Sequence, residues 1–352
     1  MWLRYISYFI GLVALCGCSS ESPRIHTLCE RDGIGNYIIK WEAEFPLEGL
    51  VKIYVSNNPE KFTNTQPAIT ADIADGIATY ITNDNVTRLY FRLVFNDKYQ
   101  KVVGARVVSL EHVHNFRDLG GYASTQQKKT IRWGKVYRSG SLSDMTNKDS
   151  VTLVRLGIRT IIDLRGDEEI ESNPIRFDNA HIVSIPIQIR ELKSLHQRIM
   201  DGRMRKRDAI IYLQDQYLSF IDTYNEQFAE AIDLFTDPAN YPIVFSCDLG
   251  KDRAGFLAAL LLSVVDVSSE TIIDDYTLSG DYINIGRLRD LVSNLDQQGQ
   301  ETVTALLSSR ESLIAPTLKR INKEYGSLDE YITGALHLNA NKQEKIKDIL
   351  LY

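Results

Sequence analysis

The sequence predicts an α/β fold with a mostly parallel sheet flanked by helices, preceded by a small all-β sandwich. Three observations carry this. Apolar residues alternate with period two between Tyr37 and Phe95. Beyond His112, short apolar strands alternate with helical patterns. The stretch "IVFSCDLGKDRAGFLAALLL", 243–262, runs from an apolar strand through a turn into an apolar helix, with Cys247 and Arg253 at the turn. Strands alternating with helices place a parallel sheet in the second part of the chain.

The chain has 352 residues, 24% charged and 44% hydrophobic, with a net charge of −6. That is the composition of a soluble globular protein, and no overall positive field argues for nucleic acid. The N-terminus differs. "MWLRYISYFIGLVALCGCSS" carries one Arg, an apolar run from Tyr5 to Leu15 and then small residues. The run is too short to span a bilayer and reads as an export signal. Leu15-Cys16-Gly17-Cys18 resembles a bacterial lipobox, so 1–17 is expected to be a signal peptide and Cys18 the lipidated residue. The alternative is a cleaved signal without a lipid. With Cys18 acylated the protein is expected to be exported and held on a bacterial membrane, periplasmic side or cell surface. Cys29 and Cys247 then remain as thiols. A disulfide between them is the less favoured expectation, because they fall in different predicted domains.

Residues 18–30 read as a polar tether and 31–109 as the sandwich. Ile39, Trp41, Ala43 and Phe45 share one face, with Lys40, Glu42 and Glu44 on the other. Val51, Ile53 and Val55 repeat the pattern, as do Leu89, Phe91, Leu93 and Phe95, with turn clusters "SNNPE" and "TNDN" between runs. The segment resembles a fibronectin type III domain, with Trp41 as the core tryptophan.

Residues 110–352 read as the second domain. "KVYRSG", "RTIIDLRGD", "HIVSIPIQI" and "YPIVFSC" are its strands. "TNKDSVTLVRLG" is a helix capped by Thr146. Residues 208–236 have helical spacing, with Ile211, Leu218, Ile221, Phe228, Ile232 and Phe235 apolar. From Ser268 to Tyr352 the chain reads as helices only.

In an open α/β sheet, ligands sit at the carboxyl ends of strands, where helix N-termini present free N–H groups. The Cys247–Arg253 turn occupies that position. The backbone of Asp248, Leu249, Gly250 and Lys251, continuing to Arg253, is expected to curl into an anion-binding nest, with Arg253 as a bidentate fork. A thiol beside Lys251 and Arg253 at a helix N-terminus is expected to have a depressed pKa and to act as a nucleophile toward phosphorus.

Cys, five residues, Arg is the signature of the protein tyrosine phosphatase superfamily, and "CDLGKDRAG" is similar to its Gly-Lys-Asp-Arg version, found in bacterial tyrosine and phosphoinositide phosphatases. "HNFRDLGGY", "IRWGKVYRSGSLSDM", "LGIRTIIDLRGDEEI", "DDYTLSGDYI" and "EYGSLDEYITGAL" resemble the same family's blocks in the same order. The resemblance covers about 111–350. It implies a tyrosine-phosphatase-like sheet and phosphate monoester hydrolysis through a phosphocysteine, with Cys247 as nucleophile, Arg253 as phosphate clamp and Asp252 as general acid. No cofactor is implied. Glu191 is a second candidate for the acid. Asp118 and Asp163 read as structural.

Two departures bear on activity. Ser246 stands where the family usually has His, and Ala254 where it usually has Thr or Ser, whose hydroxyl helps the phosphoenzyme turn over. A slow enzyme is therefore expected. Alternatives are a phosphoinositide or inositol-phosphate phosphatase and a weak phosphate-binding pseudophosphatase. The expected partners are thus a phosphorylated protein or an inositol phosphate, and the membrane.

Residues 190–207 hold Arg190, Lys193, Arg198, Arg203, Arg205, Lys206 and Arg207 against Glu191 and Asp201. Such a run either attracts a polyanion at the pocket mouth or is a solvated face. His112, His114, His181, His196 and His337 lack metal-ligand spacing, so no metal is implied.

Overall fold

The computed structural model describes residues 24–352 apart from 45–46, 85, 128, 190–191, 284–291 and 294. The alternating segments become β1 (Ile25–Arg31), β2 (Tyr37–Ala43), β3 (Leu50–Ser56), β4 (Ile69–Asp72), β5 (Ile77–Tyr80), β6 (Tyr90–Phe95) and β7 (Tyr99–Gly104). They form two antiparallel sheets, ordered β1-β2-β5 and β4-β3-β6-β7. Period two sends Ile39, Trp41, Val51, Ile53, Phe91, Leu93 and Phe95 into one shared core. Trp41 lies edge-on to Phe95, and its Nε1–H donates to the Ile73 carbonyl at 2.8 Å, which satisfies its only polar group.

The tether expected over 18–30 is shorter than that. Ile25–Arg31 is a strand paired with Tyr37–Ala43, because Ile25 and Cys29 alternate inward into the core. Cys29 and Cys247 are both buried and free, so no disulfide joins them. Residues 1–17 and Cys18 lie outside the described residues.

After β8 (Arg117–Asp118) and β9 (Val136–Ser139) come α1 (Asn147–Arg155), β10 (Thr160–Asp163), α2 (Asp167–Ser172), β11 (His181–Ser184), α3 (Leu192–Met200), α4 (Lys206–Asp222), α5 (Asn225–Asp233), β12 (Ile243–Ser246) and α6 (Arg253–Val264). The sheet order is β11-β10-β12-β9-β8, with β8 antiparallel to β9 and the other pairs parallel. β9, β10 and β12 are buried along their whole length, which is why they read as short runs without alternation. Thr146 caps α1 as expected: its Oγ1 accepts from Asp149 N–H at 3.1 Å, and the Asp149 carboxylate accepts from Thr146 N–H.

The helical stretch expected over 208–236 is broken. α4 ends at Asp222, α5 starts at Asn225, and a 3₁₀ turn follows over Leu234–Thr236. The buried face of α4 runs through Leu213, Tyr217, Phe220 and Ile221, whereas Ile211 is exposed. Then follow α7 (Ser269–Thr277), α8 (Ser279–Tyr282), α9 (Gln297–Leu307), α10 (Glu311–Tyr325), α11 (Leu328–Gly334) and α12 (Ala340–Leu350). Ile321, Tyr331, Ile332 and Ile346 from these helices share one core with α6, which is buried almost all round.

Arg88 joins the two regions. It donates to Asp118 Oδ2 at 2.7 Å, to the Tyr137 hydroxyl at 2.9 Å and to the Ala105 carbonyl at 2.9 Å. Asp118 also accepts from the N–H groups of Gly120 and Gly134, both at 2.7 Å, so it is a structural hub. Trp133 packs into the N-terminal core from the other region. Gly121, at φ +83, passes under that ring, where a Cβ would lie 2.3 Å from it.

Candidate active site

The parallel strand β12 delivers Cys247 to the carboxyl edge of the sheet, and α6 starts at Arg253. The loop between them is tightly folded because Gly250 adopts φ +69 against β9. A Cβ there would sit 2.4 Å from the Ser139 carbonyl carbon, so no other residue fits without moving β9. Among the described residues, the N–H groups of Asp248, Leu249, Gly250, Lys251 and Asp252 have no acceptor. The underside is the opposite. Asn115 donates to the Leu249 and Gly250 carbonyls at 3.2 and 3.0 Å, and Arg138 NH2 to the Gly250 carbonyl at 2.7 Å. The Leu249 and Gly250 carbonyls are thus bound while the N–H groups of the loop are left without an acceptor, the condition an anion-binding nest requires.

Arg138 is itself anchored to Asp275 Oδ2 at 2.5 Å, while Arg117 NH2 lies 3.5 Å from Oδ1 and donates to the Asp275 carbonyl at 2.9 Å. The Tyr122 hydroxyl donates to Oδ1 at 2.8 Å. Burial alone would raise the Asp275 pKa, but Arg117 and Arg138 overcome it and hold the carboxyl down at about 2.

Arg253 is buried and clamped in plane. NH1 and NH2 donate to the two oxygens of Glu169 at 2.6 and 3.0 Å, and NH1 also to the Ile187 carbonyl at 3.1 Å. Glu169 Oε2 accepts in addition from Gly166 N–H at 2.8 Å, so the first turn of α2 aims the arginine. Burial works against the Glu169 charge, yet Arg253 holds its pKa below the usual value.

The thiol does not follow the sequence-based expectation. Burial raises the Cys247 pKa, and the Arg253 charge and the Ala254 N–H, which donates to the sulfur, pull it back without cancelling that rise. Two features explain the difference. Glu169 already shares the Arg253 charge, and Lys251 is turned away to Asp252, its Nζ 2.6 Å from Oδ1. Asp248 and Asp252 push the thiol up further.

Asp252 Oδ1 also accepts from the Tyr217 hydroxyl at 3.0 Å. The Tyr217 hydroxyl also lies 2.8 Å from the Tyr276 hydroxyl, placed as donor to it, so Asp252 and Tyr276 are alternative acceptors for its one proton. Asp163 receives Arg165 through Nε and NH2 at 2.9 and 2.7 Å and is buried structure, not a partner of the loop. Glu191 lies outside the described residues. So does Arg190, at the start of the basic run.

Farther along that run, Lys206 sits beside Gln297, Gln300 and Glu301 of α9, and Arg203 pairs with Asp201 at 2.5 Å. Lys206 is eleven residues before Tyr217 on α4, about 16 Å along the axis. The C-terminal half of the run is therefore set back from the Cys247 loop. A cavity of about 560 Å³ opens elsewhere, lined among others by Arg88, Tyr90, Trp133, Lys148 and Arg155, and includes no residue of the loop.

Cys247, Asp248, Leu249, Gly250, Lys251, Asp252 and Arg253 form one turn, and Glu169, Asn115, Arg138, Asp275 and Tyr217, which the sequence pattern did not single out, are bonded to it, Asp275 through Arg138. Glu169 lies within the quoted "RGDEEI" run, and a third carboxylate after Gly166 was the available signal.

Comparison with known proteins supplies the remaining finding. The family model described as "Tyrosine phosphatase family" matches residues 108–352. A Cupriavidus necator protein named for tyrosine-protein phosphatase activity is 28% identical over 243 residues, 68% of this chain and 87% of that one. The triple specificity protein phosphatase PtpB of Mycobacterium tuberculosis is 27% identical over 257 residues, 63% of this chain and 91% of its own. Among solved structures, the core catalytic domain of the PP-IP phosphatase SIW14 of S. cerevisiae aligns at 15% identity and a TM-score of 0.28, covering 56% of this chain and 94% of that one.

Proposed function

The chain belongs to the tyrosine phosphatase family, and from that premise we propose that it hydrolyses phosphate monoesters through a phosphocysteine on Cys247. The observation that supports this best is the row of N–H groups over 248–252, open above the thiol and flanked by the clamped Arg253. Those donors meet the equatorial oxygens as charge develops on them. The Cys247 thiolate attacks phosphorus, the bond to the leaving oxygen breaks, and Asp252 gives that oxygen its proton. Water then attacks the phosphocysteine, the P–S bond breaks, and Asp252 takes a proton from the water.

Phosphotyrosine in a protein is the substrate class this reading favours. Lys206, near the C-terminal end of the basic run, lies about 16 Å along α4 from Tyr217, so that end of the run gives no support to an inositol phosphate. The test is phosphate release from a phosphotyrosine peptide, with acid-quenched labelled enzyme examined for phosphocysteine. Cys247→Ser should abolish turnover and labelling while keeping vanadate or phosphate binding. Unchanged hydrolysis by Cys247→Ser would sink the covalent reading.

The same reading puts the enzyme on a membrane through a lipid on Cys18. No helix among the described residues is long and apolar enough to cross a membrane; the lipid reading is supported by Leu15-Cys16-Gly17-Cys18 in the sequence. Palmitate labelling should be lost in Cys18→Ala, and labelling that persists would overturn the assignment.

A further inference from the structure

Asp252 is held unequally at its two oxygens. Oδ1 takes both the Lys251 ammonium, at 2.6 Å, and the Tyr217 hydroxyl, at 3.0 Å. Oδ2 has no donor among the described residues. The carboxyl side chain is about a quarter exposed, at 26%, whereas Lys251 is buried at 1%. Its open oxygen therefore faces what enters the loop rather than the core.

Tyr217 and Tyr276 are fully buried, on α4 and α7, with rings edge-on at 6.0 Å and hydroxyls 2.8 Å apart. Burial and the neighbouring Asp252 carboxylate push the Tyr217 phenol well above its ordinary pKa, so it stays a donor. A chain of hydrogen bonds thus runs from α7 through α4 to the residue that precedes α6.

We infer that Tyr217 is a positioning residue that pins Asp252 Oδ1 and so directs Oδ2 to carry the proton to the leaving oxygen, an inference that rests on Asp252 being the acid. As the proton leaves Oδ2, the growing carboxylate charge is met at Oδ1 by two donors already in place, with no rearrangement at the moment of reaction.

The consequence is a dependence on the leaving group. A leaving oxygen that is stable as an anion needs no proton, and a basic one does. In the full chain, Tyr217→Phe should lower kcat/KM for phenyl phosphate about tenfold, the loss expected for one hydrogen bond to a charged group, and leave 2,4-dinitrophenyl phosphate unchanged. Tyr276→Phe removes the other acceptor of that proton and should not lower kcat/KM for phenyl phosphate relative to 2,4-dinitrophenyl phosphate. Asp252→Asn separates the inference from its premise. If Asp252→Asn hydrolyses phenyl phosphate at the wild-type rate, the acid lies elsewhere and the premise fails. If Asp252→Asn is slow on phenyl phosphate but Tyr217→Phe slows both esters equally, or neither, the positioning role is overturned while the acid stands. Should Tyr217→Phe not fold, Tyr276→Phe decides: a selective fall on phenyl phosphate in that variant would overturn the positioning role.

Discussion

The Cys247 loop has two faces that obey opposite rules. Below, the loop's carbonyls are paired: those of Leu249 and Gly250 meet Asn115 and Arg138, and Arg138 meets Asp275. Above, the N–H groups of 248–252 are left open, and the thiol sits among charges that partly cancel one another. Buried polar groups are costly unless satisfied, so the paired face is what allows the open one to exist. Rigidity belongs to the underside and reactivity to the upper face. Both faces contain an arginine with a carboxylate, yet the pairs have different tasks: Arg138–Asp275 holds backbone, whereas Arg253–Glu169 aims a fork.

The largest expected effect comes from breaking the lower face. Asp275→Asn leaves Arg117 and Arg138 buried without their carboxylate, and breaking such a pair destabilises by about 3–5 kcal/mol. Urea unfolding should show that loss, and a change below about 1 kcal/mol would contradict the support role. The pH dependence follows from the depressed Asp275 pKa. A carboxyl held near 2 in the folded state contributes stability that is full above the unfolded value of about 4 and is lost as pH falls through 2. The variant should lack that acid-limb slope between pH 4 and 2.

The upper pair is expected to matter less for stability and more for rate. Glu169→Gln keeps the shape but removes the charge that orients Arg253, so kcat/KM should fall about ten- to a hundredfold. The same change releases the Arg253 charge toward the sulfur, so alkylation of Cys247 by iodoacetamide should move to lower pH than in the wild type. Slower turnover together with easier thiol ionisation distinguishes an aiming role from a thiolate-stabilising one. If turnover and the alkylation profile are both unchanged, the clamp has no part in the reaction.

The lower face was the less legible of the two in the sequence. Cys247 to Arg253 are contiguous, so spacing alone placed the proposed nucleophile, nest and fork in one turn. Asn115, Arg138 and Asp275 come from three distant segments, and only the sheet order, with β9 beside β12, brings the first two under the loop. Period two likewise exposed the N-terminal sheets, since one face of each strand meets water, although Ile25–Glu30 read as part of a tether because two inward residues are too few to establish a period. The break between α4 and α5 at Thr223 and Tyr224 was hidden because apolar spacing continues across it. The thiol's environment misled for a physical reason: a neighbouring cation counts only by what remains after its own carboxylate, and neither the Glu169 nor the Asp252 pairing is visible from charge signs along the chain.

The smallest expected effect sharpens the upper face rather than breaking it. Ala254 is fully buried and offers the Cys247 sulfur only its backbone N–H. A hydroxyl at that position would add one donor to a sulfur that must leave phosphorus as a thiolate in the second step. If breakdown of the phosphoenzyme limits turnover, Ala254→Thr should raise kcat by about tenfold, the value of one charge-assisted hydrogen bond at its low end. The wild type should then release a burst of aryl alcohol equal to the enzyme concentration, and the variant a smaller burst followed by a faster steady state. Two extra heavy atoms in a full core carry a stability penalty of about 1–3 kcal/mol, so the variant should unfold earlier while turning over faster. That opposition in sign separates chemistry from folding. A wild type without a burst would place the slow step before the phosphocysteine, where thiol ionisation governs the rate. In that case the rate should climb with pH through the raised Cys247 pKa, and the added hydroxyl should help by easing ionisation instead.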